Sequence, residues 1–213
     1  MKKFKKTGNI SSGTIKEKKK FITGKMVIGL MFVFILISSA IGYFSSSLFG
    51  TELISSYNGH VFKLDTNTNR WSTELNGKKV YFNNLPSDIP KYNFSGDAVN
   101  FFKTSMAIFG TYDPDAEFKE IYASVEFDLD DNFLKNKNAY FVYSFTKENA
   151  FNKPVITCAN ATQEAPVLYF TKSDITQEPS LDMKDNCIIF SAPDRYGTIA
   201  LRDELLFRVL GIK

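Results

Sequence analysis

The sequence predicts an N-terminal transmembrane helix followed by an α/β or α+β two-layer domain, with a mixed sheet, an N-terminal β-meander, one βαβ unit and a C-terminal helix. Three observations predict it. Met26 to Thr51 contains no charged residue. Three short β-rich runs separated by turn residues follow it. Beyond them, stretches with apolar residues three and four apart alternate with short apolar runs, which is the pattern of helices set between buried strands.

The N-terminal element comes first. Met26 to Phe44 (MVIGLMFVFILISSAIGYF) is almost continuously apolar, and 19 residues at about 1.5 Å each give roughly 28 Å, close to the hydrocarbon thickness of a bilayer. Residues 1–25 carry nine Lys and one Glu, and residues 26–213 carry 17 basic and 22 acidic side chains, so the net charge of +3 divides into +8 and −5. The positive-inside rule keeps such a lysine-rich flank in the cytoplasm. The expected organisation is a disordered cytoplasmic tail (1–25), a signal-anchor helix (26–49), a short linker (50–57) and an extracytoplasmic domain (58–213). Ser38 and Ala40 also fit the −3 and −1 positions of a signal-peptidase site, but 25 residues is a long n-region and the apolar run continues past Ala40. Cleavage after Gly24, as in a pilin-like leader, lacks the basic residue before it and the acidic residue beyond it.

Within the domain, His60–Asp65, Arg70–Leu75 and Lys78–Phe82 read as strands, the last two joined by Asn76-Gly77, the dipeptide of a type I′ hairpin. Lys103 to Tyr112 reads as a strand. Asp113-Pro114 then reads as cap and first turn of a helix over Ala116 to Leu134, in which Phe118, Ile121, Tyr122, Val125, Leu129 and Phe133 form one stripe. Ala139 to Phe145 is a strand, so strand, helix and strand make a βαβ unit. Val155–Cys158, Val167–Thr171 and Cys187–Ser191 read as three further strands. Gly197 to Leu210 reads as a helix with Ile199, Leu205, Leu206, Val209 and Leu210 inward and Gly211 at C′.

The chemistry is sparse. With 44% hydrophobic and 23% charged residues over 213 positions the chain is globular, and a protein basic only at one end presents no basic folded face to nucleic acid. Cys158 and Cys187 are the two cysteines, and outside the membrane they read as a structural disulfide. His60 is the single histidine, which removes a His-based metal site and leaves no partner for a catalytic triad. Asp113 and Asp115, at the end of a strand, are the one carboxylate pair placed where an α/β fold could hold a hard cation, but capping and the helix dipole explain Asp-Pro-Asp in full. Asp128, Asp130 and Asp131 lack the Gly turn and the twelfth-position Glu of an EF-hand and read as a solvated helix face. Asn93-Phe94-Ser95 and Asn160-Ala161-Thr162 are glycosylation sequons. No phosphate-loop, dinucleotide or hydrolase signature occurs. The expectation is therefore no catalytic residue, no cofactor and no metal.

The lysine-rich tail, single membrane helix, Trp-containing hairpin, strand ending Thr-Tyr-Asp-Pro, Val155–Cys158 before Ala-Asn-Ala-Thr, Asn186-Cys187-Ile188 and the carboxyl-terminal Arg202 to Ile212 segment resemble an uncharacterised family of single-pass membrane proteins from small-genome, DPANN-type archaea. Phe207 stands where such proteins would have Tyr. The resemblance implies no activity. The sequence thus leads to an envelope protein held in the lipid bilayer through Met26 to Phe44, whose outer domain binds another envelope protein or a cell-surface polymer. Its rivals are an anchored metal-dependent hydrolase using Asp113 and Asp115, and a pilin-like filament subunit.

Overall fold

Each Asn-Gly pair in the first part of the domain has both residues at positive φ, Asn58 and Gly59 at 46° and 82° and Asn76 and Gly77 at 51° and 75°. Only turns of that kind match the right-handed twist of the strands they join. They organise a four-stranded antiparallel meander, β1 (Ile54–Tyr57), β2 (His60–Asp65), β3 (Arg70–Leu75) and β4 (Lys78–Phe82). In the computed structural model the described residues are 24–48, 53–134 and 139–213. They fall into two units, residues 1–51 and 52–213. The basic tail, up to residue 23, lies outside the described residues.

Three predicted strands of the meander carry the expected bounds. The first strand corrects the sequence reading: Ile54–Tyr57 is part of the sheet, not linker, because Asn58-Gly59 turns it back onto β2 with Tyr57 opposite His60.

The second sheet has six strands in the order β5-β9-β10-β8-β6-β7: β5 (Asn93–Phe94), β6 (Ala107–Tyr112), β7 (Tyr140–Phe145), β8 (Val167–Lys172), β9 (Ser180–Lys184) and β10 (Cys187–Ala192). Only β9 against β10 is antiparallel, so the sheet is mixed. β6 and β7 are adjacent and parallel, with a helix between them in sequence, as a βαβ unit requires. Val155–Cys158 is not a strand. Val155 makes one bridge to Phe145, and Cys158–Asn160 is a turn of 3₁₀ helix in which Asn160 Oδ1 accepts from the Thr157 amide at 2.8 Å.

Helix α1 covers Gly24–Leu48. Its side chains are described over residues 24–39 and at Ile41, and all of these are exposed. Among the described residues no helix is long and apolar enough to cross a membrane. In the second unit, α2 (Gly96–Thr104) is capped by Ser95, whose hydroxyl accepts from the Ala98 amide. It takes in Lys103, which the sequence reading placed in a strand. Helix α3 (Lys119–Leu129) continues into a π-helical turn, Asp130–Leu134. Its N-cap is Phe118, not Asp113. Asp113 instead folds a local turn, Oδ1 accepting from the Asp115 amide at 2.8 Å and its carbonyl from the Ala116 amide at 2.9 Å. Helix α4 (Arg195–Val209) is capped by Asp194 and closed by Gly211 at φ 74°.

The domain is α+β, and its layering departs from the two expected. Alternate residues of the six-stranded sheet, among them Ile108, Leu168, Phe170, Leu181, Ile188 and Phe190, are buried in one core with residues of α2, α3 and α4. The meander closes over α4 from another side: Phe207 stacks on Phe82 at 4.5 Å and meets Phe62 edge-on at 6.2 Å. Sandwiched in this way, α4 buries Arg202, Asp203 and Glu204 along with its leucines, rather than one stripe. Arg202 meets Asp128 of α3 at 3.0 Å and Asp203 at 3.2 Å and donates to Asn83 Oδ1, while Asp203 Oδ2 accepts from the amides of Asn83 and Asn84 at 2.9 and 2.8 Å. Arg70 of β3 reaches the same Asp128 at 3.2 Å. Asp128 is therefore buried in an ion-pair network, and the expectation of a solvated acidic face fails there.

Candidate functional site

The site grows from one glycine. β6 and β7 lie side by side, with Gly110 opposite Tyr143 and Tyr112 opposite Phe145, so these four residues share the face on which α3 packs. A methyl group at Gly110 would overlap both Glu126 Oε1 and the Phe141 ring. The missing side chain is what admits a carboxyl between helix and sheet. Glu126 is 2% exposed, and its Oε1 has no hydrogen-bond partner. Burial pushes this carboxyl well above the ordinary range, with Lys153 pulling weakly the other way. It stays protonated at pH values where a surface glutamate has ionised.

Around it the walls are aromatic. Tyr112 meets Phe145 edge-on at 5.0 Å, and Phe145 lies 6.0 Å from Phe151. A cavity of about 310 Å³ lined by Tyr112, Ala123, Glu126, Tyr143, Phe145 and Lys153 shares Tyr112, Ala123, Phe145 and Lys153 with a second of about 410 Å³ that runs out past Phe151. Together they make one groove between α3 and β7. The Tyr143 hydroxyl is already committed, donating to Asp130 Oδ2 at 2.9 Å. Burial lifts the phenols of Tyr112 and Tyr122 to about 12. Neither supplies a base at neutral pH.

The outer wall is a loop held at three points. Asn149 Oδ1 accepts from the amides of Phe151 and Lys153 at 3.0 and 3.1 Å, which fixes the backbone of both residues beside the groove. Phe145 exchanges backbone hydrogen bonds with Pro154 and Ile156, and Thr111 Oγ1 donates to the Ile156 carbonyl at 2.8 Å. The far end is tied by Cys158–Cys187, with Cα atoms 5.2 Å apart and within the range expected of a disulfide. The predicted pair is thus joined, and it secures the groove wall to β10.

The other predicted residues lie elsewhere. Asp113 and Asp115 do converge, but on Lys147, whose Nζ is 2.9 Å from a carboxylate oxygen of each. The ammonium occupies the place a cation would take, and lowers Asp113. Among the described residues no group of three or more His, Cys, Asp or Glu could hold a metal ion. His60 lines a cavity on the meander with Ser72, Thr73 and Glu74. Asn93 and Asn160 are exposed, Ser95 of the first sequon capping α2 and Asn160 engaged with Thr157.

Glu126 is not among the apolar residues that form the stripe in the sequence. The available signal was spacing: Glu126 lies four residues after Tyr122 and three before Leu129, which puts it on the flank of that stripe. No family model, curated protein or solved structure matches the chain.

Proposed function

We propose that this chain is a single-pass membrane-anchored envelope protein whose extracytoplasmic domain binds another envelope protein or a cell-surface polymer and carries out no catalysis. The observation that carries the location is the joined Cys158–Cys187 pair, which persists in oxidising compartments and is rare in the cytosol. It lies on the side of the apolar segment opposite the nine-lysine tail, where the positive-inside rule puts the outside. The described side chains of α1, Met26 to Ile37 among them, expose apolar surface on every face, and the sequence stays apolar through Tyr43 and Phe44. A helix hydrophobic all round needs lipid or protein around it. Support for binding over catalysis comes from Lys147, whose ammonium sits between Asp113 and Asp115, the pair on which the hydrolase alternative depends. The likeness to archaeal single-pass proteins agrees with this reading and adds no activity.

Protease added to intact expressing cells should remove the domain and leave a membrane-bound, lysine-rich stub. Digestion only after lysis would overturn the orientation. A soluble full-length chain would overturn the anchor.

A further inference from the structure

The groove between α3 and β7 has features that the envelope reading does not use. Its walls are apolar, its floor carries the buried Glu126 side chain, and its rim carries an ammonium. A groove built only for packing would have filled the position over Gly110 with an apolar side chain and avoided the cost of burying Glu126. Lys153 Nζ lies 5.9 Å from the Tyr143 ring centroid, reaching over the same walls.

The geometry points to this groove as a binding site for a small organic acid with an apolar or aromatic body. The body lies between Tyr112, Phe145 and Phe151, the carboxylate faces Lys153 Nζ, and the Glu126 side chain donates a hydrogen bond from the floor. Charge complementarity decides the class. The residues lining the groove include Lys119, Glu120, Glu126 and Lys153, and with the Glu126 carboxyl protonated the rim carries one excess positive charge. An amine would meet that charge unfavourably, whereas a carboxylate gains a charge-assisted hydrogen bond. Burial keeps the floor carboxyl in its donating form. This inference goes beyond the envelope reading by adding a small-molecule site to the domain. It stands or falls separately from the topology, which the protease experiment decides.

The test uses the purified full-length chain in phosphatidylcholine nanodiscs and the intrinsically fluorescent probe 2-naphthoate, with 2-naphthalenemethanol and 2-naphthylmethylamine as its uncharged and cationic counterparts. Saturable binding is expected, with naphthoate tighter than either counterpart by about tenfold or more, the worth of one hydrogen bond to a charged group. Ala123→Trp, at an exposed helix position on the groove wall, should abolish binding while leaving the melting temperature unchanged. Lys153→Met should erase the preference for the acid. Glu126→Gln, whose amide still donates, should hold affinity within about threefold. Tighter binding of the amine, binding indifferent to both Ala123→Trp and Lys153→Met, or no saturable binding of naphthoate would overturn the assignment.

Discussion

At the scale of single residues, Glu126 and Gly110 make a coupled pair with opposite demands. Because burial raises the Glu126 pKa in the folded chain, the folded state holds its proton more tightly than the unfolded state does. Its contribution is fully present below the ordinary carboxylate value of 4.5, and it is lost as pH rises from there through the raised folded value. The groups around it do not reverse the sign: Lys153 lowers the pKa only in part, and Tyr112 and Tyr143 titrate far above. Thermal melts of Glu126→Gln from pH 4 to pH 8 should therefore show a flatter curve than the parent. Some slope should remain, because burial also raises Asp203. Parallel curves would show that Glu126 titrates as a surface carboxylate. Gly110→Ala should destabilise by about 1 to 3 kcal/mol, the usual cost of overpacking, because the added methyl overlaps Glu126 and Phe141. Glu126→Ala in the same chain should recover part of that loss, and additive losses would mean that the Phe141 ring, not the carboxyl, is the obstruction.

At the scale of elements, two aspartates before two helices separate real caps from apparent ones. Asp194 Oδ1 accepts from the Gly197 amide at 2.6 Å at the start of a helix buried along most of its length. Asp194→Ala should cost about 1 kcal/mol. Asp113 holds only an exposed turn and an exposed ion pair, so Asp113→Asn should stay within about 0.5 kcal/mol in chemical denaturation. A larger loss at Asp113 would mean that its turn determines where α3 begins. The same contrast shows what was legible in the sequence. Turn dipeptides with a steric requirement, such as Asn76-Gly77, placed strands to the residue, and the pair Cys158 and Cys187 was readable from compartment and count. Asp113-Pro114 misled because an Asp-Pro step serves a turn as readily as a cap. The α4 network and Glu126 were hidden for another reason. A side chain's polarity records its cost in isolation, whereas Arg202 is buried because Asp128, Asp203 and Asn83 come from separate parts of the chain to meet it.

At the scale of the whole domain, two long-range ties hold separate layers. Arg202 binds α4 to α3 and to the end of the meander, and Arg202→Ala should cost about 3 to 5 kcal/mol by stranding buried carboxylates. The disulfide acts differently, through the unfolded chain. Its sequence separation of 29 corresponds to about 3 to 4 kcal/mol in the loop-entropy account. The folded contacts of the loop, from Phe145 to Pro154 and Ile156 and from Thr111 to Ile156, do not depend on the bond. Cys158→Ser should therefore lower the urea midpoint substantially while far-ultraviolet circular dichroism stays native. Exposure makes the reduced state readable as well, since Cys158 is exposed and Cys187 is 2% exposed. Under native conditions without reductant neither thiol should react with iodoacetamide. After mild reduction Cys158 should react promptly, and Cys187 only as fast as the sheet around β10 opens. Equal, immediate labelling of both without reductant would show that the bond does not form in the native protein. The groove wall would then rest on hydrogen bonds alone, and the extracytoplasmic assignment would lose its chemical support.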